Sequence, residues 1–286
     1  MSNGKFTGSV GYVGLGDMGG AIAQRLVYAA IDLIVFDLDD DAIARLVAKG
    51  ARAAASLFDL VQNAGVVFIC VDPEPAVETV IEEILEFVRP DQTLIIQSSV
   101  SPQVVIDASE KAKLKGVRLF DAPVSGTYRD RQNGTLAVPT GAAREDIGHI
   151  ATLLELIGRP IYLKTVGGGE IAKLANNAVS SITRSGLMEA IELAEAYGVA
   201  EADLLEVLSV GSGSSFVVKN WSFFDDLARQ GHIVRKQPMQ AAEIRKTIKQ
   251  KDLHLPIIEA HFEPLRILDI QRYKKLTGRY PDSGGV

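Results

Sequence analysis

One short segment of this 286-residue sequence combines a cation with two carboxamides on one predicted helix face. Lys173 precedes Asn176 and Asn177 by three and four residues, which places all three on the same side of an α-helix. The neighbouring residues are apolar, and the glycine run at 167–169 opens the helix. An ammonium there is badly placed for a surface salt bridge and well placed to exchange a proton with a bound oxygen. The alternative is a surface lysine whose stem covers apolar neighbours while its amine reaches water.

A glycine-rich loop near the N-terminus supplies a second piece of chemistry. The run Gly14-Leu15-Gly16-Asp17-Met18-Gly19 fits G-x-G-x-x-G, directly after a predicted strand and at the opening of a predicted helix. The first glycine permits the tight turn, the second lets the backbone approach a pyrophosphate, and the third lets the helix pack on the strand. The helix N-terminus then presents unpaired N–H groups to the phosphates. These six residues are therefore predicted to bind a dinucleotide, although a glycine-rich turn can also be purely structural.

An acidic residue closes the second predicted strand, and it bears on which coenzyme binds. Asp37 follows that strand, where a carboxylate accepts hydrogen bonds from a ribose diol and repels a 2′-phosphate. This favours NAD over NADP. The acidic run at 39–41 adds negative charge, though it also suits the N-cap of the next helix. Because Arg45 lies about two turns into that helix, NADP remains the less favoured alternative.

The elements that must position these residues alternate in type through the first half of the chain. Apolar strands are predicted at 10–13, 33–36, 66–69, 93–96 and 118–120. Amphipathic helices are predicted at 21–30, 40–49, 75–88 and from Ser101-Pro102 onward. This β-α-β rhythm predicts an α/β fold with a doubly wound, Rossmann-type parallel sheet.

After residue 163 the pattern becomes helical. A long helix without proline is predicted at 170–197, followed by helices near 201–209, 237–250 and 257–275. We therefore predict a dinucleotide-binding Rossmann domain over residues 1–165 and an all-α substrate and oligomerisation domain over 166–286, joined by the long helix. Because that helix is apolar on more than one face, we expect a homodimer or homotetramer.

Composition limits the other partners. A formal net charge of −6 argues against nucleic acid, since a phosphate-binding footprint needs a basic face. The single cysteine, Cys70, excludes an intrachain disulfide and a thiolate metal cluster, and we expect no metal. The polar N-terminus lacks a signal core, and no apolar run approaches the length of a membrane span. We expect a cytoplasmic protein that binds no membrane.

A loop of small and hydroxyl residues follows the last predicted strand. The run Asp121-Ala122-Pro123-Val124-Ser125-Gly126-Thr127 leads on to Gly134-Thr135-Leu136. Hydroxyls and free backbone N–H groups at the carboxyl end of a strand suit an anion, and open α/β sheets bind ligands in that crevice. Taken alone, the segment could equally be an ordinary turn.

Together these segments resemble the β-hydroxyacid dehydrogenase family, the group that contains 3-hydroxyisobutyrate dehydrogenase and tartronate semialdehyde reductase. The resemblance rests on residues 11–19, on residues 121–136 and on Gly167-x-Gly169-x-x-x-Lys173-x-x-Asn176-Asn177, in the family's order and near its spacing. It implies hydride transfer between NAD(H) and a small β-hydroxy acid or semialdehyde, so that the expected partner is a small carboxylate substrate.

The resemblance also implies a role for each matching residue. Lys173 looks like the catalytic lysine and Asn177 like the substrate-orienting amide, with Asn176 beside it. The triplet matching the family's carboxylate-binding residues is Ser125, Gly126 and Thr127. The implied coenzyme-binding residues beyond the glycine loop and Asp37 are Val71, Asp72 and Ser98, which is paired with Ser99 near the nicotinamide.

Three residues depart from the family pattern. Thr127, Asp130 and Arg131 stand where the family usually has Gly, Gly and Ala. Replacing glycine removes easy access to positive φ, so strain is one expectation here. Arg131 and Arg129 also hint at a second anionic group on the substrate, although an exposed loop pair is equally compatible. Two other functions stay open, an imine reductase on the same scaffold and a non-catalytic nucleotide-binding module. Lys173 argues against the first, because imine reductases of this scaffold generally lack the lysine.

Overall fold

The protein is described by a computed structural model over residues 6–281, apart from the side chain of Lys236. It forms two compact units that divide between Lys173 and Leu174. The first unit contains a parallel sheet flanked by helices, and the second is helical. The α/β fold with a helical C-terminal region is therefore confirmed.

The first unit contains eight described strands and eight complete α-helices, and a ninth helix begins in it. The strands are β1 Ser9–Val13, β2 Asp32–Phe36, β3 Arg52–Ala53, β4 Val66–Ile69, β5 Thr93–Ile96, β6 Arg118–Asp121, β7 Leu136–Thr140 and β8 Gly158–Tyr162. The helices are α1 Asp17–Tyr28, α2 Asp40–Val47, α3 Leu57–Asn63, α4 Glu74–Phe87, α5 Pro102–Leu114, α6 Tyr128–Asn133, α7 Arg144–Ile147, α8 Ala151–Ile157 and the start of α9 Gly168–Ala196.

Six strands form one parallel sheet in the order β3-β2-β1-β4-β5-β6. Every residue of β4 and of β5 is buried, as expected for a parallel sheet covered by helices on both faces. One apolar layer contains Tyr12 and Phe68, and the other contains Ile69 and Leu94. The strand order reverses between β1 and β4, and ligands of open α/β sheets bind beyond the carboxyl ends of the strands at that point.

A second, two-stranded parallel sheet is formed by β7 and β8. Neither strand was predicted, and the segment at 128–133, predicted as loop, is the short helix α6. An isolated antiparallel bridge joins Ser125 to Ala137, so the loop after β6 is attached to the edge of β7.

The described part of the second unit, residues 174–281, contains the rest of α9 and six further helices. These are α10 Glu201–Val210, α11 Phe216–Lys219, α12 Trp221–Arg229, α13 His232–Gln250, α14 Pro256–Ala260 and α15 Phe262–Thr277. Trp221 packs with Leu187, Ile191 and Leu265 in the core of this unit. Over residues 6–281, no helix combines the length and apolar character that crossing a membrane requires.

Buried arginines connect the helices of the second unit. Arg272 of α15 donates to Glu201 of α10 and to Asp225 of α12 at 2.6–2.9 Å. Arg184 of α9 donates to Asp269 of α15 at 2.7 Å, and both residues are buried. Removing one partner of such a pair is strongly destabilising, because it leaves a buried charge unpaired.

Candidate active site

The glycine-rich loop forms a tight turn between β1 and α1. Helix α1 begins at Asp17 with Gly16 as its N-cap, so the last three residues of the motif lie in the first turn of the helix. Gly14 has a φ of +92°, and a Cβ there would meet the Cys70 carbonyl oxygen at 2.2 Å. A Cβ on Gly19 would meet the Gly14 carbonyl oxygen at 2.1 Å. These two glycines are therefore required by the packing of the protein itself.

Gly16 differs from the other two glycines of the motif. A Cβ built on it meets no protein atom within 4 Å, and its φ of −60° is open to any residue. Protein packing therefore gives no reason for glycine at this position. The open space lies at the start of a helix, where N–H groups and the helix dipole favour phosphate. The residues present thus fit the pyrophosphate of a dinucleotide.

The acidic residue after β2 is attached to the same loop. The Asp37 carboxylate accepts from the Leu15 N–H at 2.5 Å and from the Asp39 N–H at 2.9 Å. It lines a cleft of about 400 Å³ that also contains Gly16 and Arg45. Each carboxylate oxygen has a second lone pair, so Asp37 can hold the loop and still accept from a ribose hydroxyl.

The turn after β4 is held by Ser98. The Ser98 hydroxyl is buried, accepts from the Val71 N–H at 2.9 Å and lies 3.4 Å from the Ile69 carbonyl oxygen. Ser98 therefore fixes the backbone of the turn containing Val71 and Asp72. The other hydroxyl of the pair, Ser99, is exposed.

The Lys173 amine donates to the Ser99 hydroxyl. Ser99 lies just beyond the carboxyl end of β5, next to the turn at the end of β4. The lysine is half-buried and lies at the edge of the sheet where a ligand is expected, close to the switch point. The family resemblance placed Ser99 beside Ser98 near the nicotinamide, but it did not predict a contact between Ser99 and Lys173. A sequence pattern cannot separate Ser99 from Ser98, because both lie in the irregular turn after β5 and only the conformation of that turn decides which hydroxyl is exposed.

Asp121 holds the first turn of the helix that carries Lys173. Its fully buried carboxylate accepts from the Gly167 N–H at 2.8 Å and from the Glu170 N–H at 2.7 Å. Burial raises the pKa of Asp121, and the N–H donors of Glu170 and Gly167 act against that rise. No role was predicted for Asp121. The signal was a carboxylate at a strand end together with a long helix that lacks an N-cap side chain of its own.

The loop after β6 does not offer the free N–H groups expected from the sequence. The Ser125 N–H donates to the Ala137 carbonyl oxygen at 2.9 Å, and the Thr127 N–H donates to Asp130 at 2.7 Å. Within residues 6–281, the Gly126 N–H has no hydrogen-bond partner in the protein. It is therefore the N–H of this triplet that a carboxylate can reach without breaking an existing bond.

Two of the three departures from the family pattern, Thr127 and Asp130, form a helix cap. Thr127 is the N-cap of α6 and makes a reciprocal capping box with Asp130, which also accepts from Thr135 at 2.8 Å. These hydrogen bonds lower the pKa of Asp130, with the Thr127 hydroxyl as the largest cause. Thr127 has a φ of −85°, so the expected strain is absent there.

The two asparagines lie on α9 after Lys173. The helix is continuous from Gly168 to Ala196, which puts Asn177 one turn beyond the lysine on the same face. Asn176 is exposed and Asn177 is half-buried. Both belong to the second compact unit.

The parallel sheet, its glycine loop and the open space at Gly16 define a dinucleotide-binding protein. Comparisons with known proteins match both parts of the chain to NAD(P)-binding dehydrogenase families. The "NAD binding domain of 6-phosphogluconate dehydrogenase" family matches residues 9–168, and "NAD-binding of NADP-dependent 3-hydroxyisobutyrate dehydrogenase" matches residues 167–259. The chain belongs to the β-hydroxyacid dehydrogenase family.

Curated relatives include two 3-hydroxyisobutyrate dehydrogenases. The mitochondrial one of Drosophila melanogaster is 32% identical over 72% of this chain, and the match spans 64% of the relative. That of Pseudomonas aeruginosa is 33% identical over 73% of this chain and 72% of the relative. Among solved structures, Mycobacterium tuberculosis 3-hydroxyisobutyrate dehydrogenase with L-serine has a TM-score of 0.81 at 20% identity, covering 94% of both chains. An imine reductase from Myxococcus stipitatus with NAD+ has a TM-score of 0.66 at 15% identity, covering 92% of this chain and 94% of the other. At these identities the structures establish the fold alone.

Proposed function

We propose that this protein transfers a hydride between NAD(H) and a small β-hydroxy acid or semialdehyde, with Lys173 as general acid and base. The observation that carries the proposal is the Lys173 amine donating to the Ser99 hydroxyl at the carboxyl end of β5. A bound nicotinamide is the source or acceptor of the hydride. Lys173 protonates the carbonyl oxygen during reduction and takes the hydroxyl proton during oxidation.

The other residues position the substrate. Ser99 holds the amine by one hydrogen bond, which leaves its other donors available to a substrate oxygen. Gly126 offers its N–H to the substrate carboxylate, with Ser125 and Thr127 shaping the loop around it. Asn177, on the lysine's helix face, orients the reacting oxygen, and Asn176 adjoins it. Such positioning is the main contribution of the protein to a reaction whose redox chemistry belongs to the coenzyme.

Replacing Lys173 tests this assignment. Lys173→Ala should abolish turnover while the Kd for NADH stays within about twofold, because proton transfer is lost and the glycine loop is untouched. Lys113→Ala is the matched control, since it removes an exposed lysine on α5. Normal turnover in the Lys173 variant would rule out its role as acid and base.

We propose NAD as the coenzyme, with NADP less favoured. Asp37 lines the cleft beside Gly16 and would face a 2′-phosphate with like charge. Arg45 lines the same cleft, but its Nη2 lies 3.8 Å from Oδ2 of Asp39, and this ion pair offsets part of its positive charge. The ratio of kcat/KM for NADH to that for NADPH should exceed about ten and fall toward one in Asp37→Asn. A wild-type preference for NADPH would overturn this proposal and leave hydride transfer standing.

The substrate class and the alternatives are tested together. NADH oxidation is measured with a panel of semialdehydes, 2-keto acids and cyclic imines. Turnover of the oxo acids supports the proposed function, turnover of imines alone supports an imine reductase, and binding of NADH without any turnover supports a nucleotide-binding module.

We also propose a homodimer or homotetramer. The apolar residues of α9 that suggested a partner are mostly covered within the chain, since Leu187 and Ile191 lie in the core of the second unit. Other apolar side chains of that unit are exposed, among them Val179 at 63%, Leu193 at 64% and Val210 at 87%. Light scattering during size exclusion measures the mass, and a monomer at micromolar concentration would contradict the proposal.

A further inference from the structure

Arg131 reaches the glycine loop. Its guanidinium donates through Nη1 to the carbonyl oxygen of Asp17 at 2.9 Å. Asp17 is the first residue of α1, the helix whose N-terminus faces the open space at Gly16. The same guanidinium lies over the ring of Tyr128, 4.4 Å from its centroid. Both contacts are to uncharged groups, and among the described residues Arg131 forms no ion pair.

The contact is supported by a second arginine. Arg25 of α1 donates to the Gln132 carbonyl oxygen at 3.1 Å and to that of Leu156 at 2.5 Å. A Cβ on Gly134 would meet the Arg25 guanidinium at 2.1 Å, so the end of α6 is seated directly on this side chain. Helix α6 is therefore fixed along α1, and Arg131 is held at the first turn.

Acidic side chains lie near the start of α1, so a cation there would favour the binding of a diphosphate. Asp17 is exposed in the first turn, where it suits the helix dipole but repels a diphosphate. Asp37 adds a second negative charge to the cleft. Because the Asp17 carbonyl points along the helix away from its N-terminus, the guanidinium lies beside the first turn of α1, about one helical turn, 5.4 Å, or more from the N–H groups at its start. Its remaining donors are suited to phosphate oxygens.

We propose that Arg131 binds the pyrophosphate of the coenzyme, and that it does not read a second anionic group on the substrate. Its positive charge offsets the negative charge of Asp17 at the first turn of α1, where the diphosphate would bind. The inference rests on dinucleotide binding at this loop. Arg129, two residues earlier in α6 and exposed, carries the same charge without this contact and is the matched control.

The test compares two ligands that contain the diphosphate with one that lacks it. Calorimetry measures Kd for NADH, ADP-ribose and adenosine in wild type, Arg131→Ala, Arg131→Lys and Arg129→Ala, with melting temperatures to confirm folding. In Arg131→Ala the Kd for NADH and ADP-ribose should rise about fivefold, the scale of one partly exposed charge, with adenosine unchanged. Arg131→Lys should retain most of the affinity, and Arg129→Ala should match wild type. Added salt should reduce the difference in Kd between wild type and Arg131→Ala.

Three outcomes would overturn the proposal. The first is ADP-ribose binding in Arg131→Ala at wild-type strength. The second is an equal loss for adenosine, which would mean that the arginine only shapes the loop. The third is a raised KM for dicarboxylate substrates with unchanged coenzyme affinity, which would assign Arg131 to the substrate. If the wild type failed to bind ADP-ribose, the proposal of dinucleotide binding itself would be wrong. A wrong role for Arg131 and a wrong proposed function therefore give different results.

Discussion

Replacing Asp121 by Asn should destabilise the first unit and slow the reaction without any direct contact with a ligand. The carboxylate accepts two N–H groups of the first turn of α9, at 2.8 and 2.7 Å. A carboxamide oxygen can accept one of them, and the amide NH2 then faces the other donor to donor. Gly141 packs so closely that a Cβ there would meet the Asp121 carboxylate at 1.9 Å, so the new amide has no room to turn away.

The size of the effect follows from those two bonds. The lost bond to a charged acceptor is worth about 1.5–3 kcal/mol, and the unsatisfied buried N–H costs about 1–3 kcal/mol more. Relief of carboxylate desolvation, the main cause of the raised pKa, offsets part of this. We expect the free energy of unfolding to fall by about 2–4 kcal/mol. Because the first turn of α9 anchors the following turn, which carries Lys173, kcat should fall at least about tenfold while the Kd for NADH is retained.

Suitable probes separate the loss of stability in the first unit from any effect on the second. Urea unfolding is followed by far-ultraviolet circular dichroism and by the fluorescence of Trp221, the single tryptophan, which reports on the second unit. Hydrogen exchange at the amides of Gly167 and Glu170 reports on the first turn of α9 directly. Asp91→Asn is the control, since Asp91 is exposed and its φ of +71° is one that Asn tolerates. A stability change within about 0.5 kcal/mol of that control, or an unchanged kcat, would refute the reasoning.

Three further predictions concern a thiol, a buried ion pair and two glycines. Desolvation raises the pKa of Cys70 from 9.0 to about 11. At about pH 8 its alkylation by iodoacetamide should therefore be about a hundredfold slower than that of a free cysteine, and a comparable rate would contradict this. Asp269→Ala should lower the free energy of unfolding by about 3–5 kcal/mol in urea titrations, and combining Arg184→Met with Asp269→Leu should restore most of it, because the penalty comes from the unpaired charge. Gly16→Ala should leave the melting temperature unchanged and weaken NADH binding at least about tenfold, whereas Gly14→Ala, at positive φ, should cost at least about 2 kcal/mol of stability; the reverse pattern would contradict the open space at Gly16.

The sequence predicts most of the central sheet, because its strands are uninterrupted apolar runs. The strands at 66–69 and 93–96 match the structure at both ends. Helix α1 begins at Asp17 instead of residue 21, since glycines lower helix propensity and obscure the start. Here Gly19 belongs inside the helix because only a residue without a Cβ fits against the Gly14 carbonyl.

The missed elements carry weak or contrary signals. Strands β7 and β8 contain Pro139 and Pro160, and proline normally argues against a strand with partners. Helix α6 buries none of its side chains, so it shows no apolar periodicity. Helix α13 begins at His232, earlier than the predicted residue 237, and it contains Pro238, a residue type that disfavours a helix interior.

The glycines of the nucleotide loop and of the run before Lys173 look alike in sequence but have different structural roles. In the glycine run before Lys173, a Cβ on Gly169 would meet the Pro139 carbonyl oxygen at 2.5 Å and Asp121 at 2.8 Å. That glycine lets α9 approach the carboxylate that holds its first turn, so it positions the lysine without touching a ligand. In the nucleotide loop Gly14 and Gly19 serve packing in the same way, and Gly16 alone leaves space. A glycine pattern therefore locates the site, and only the three-dimensional surroundings of each glycine decide whether its missing side chain makes room for the protein or for the coenzyme.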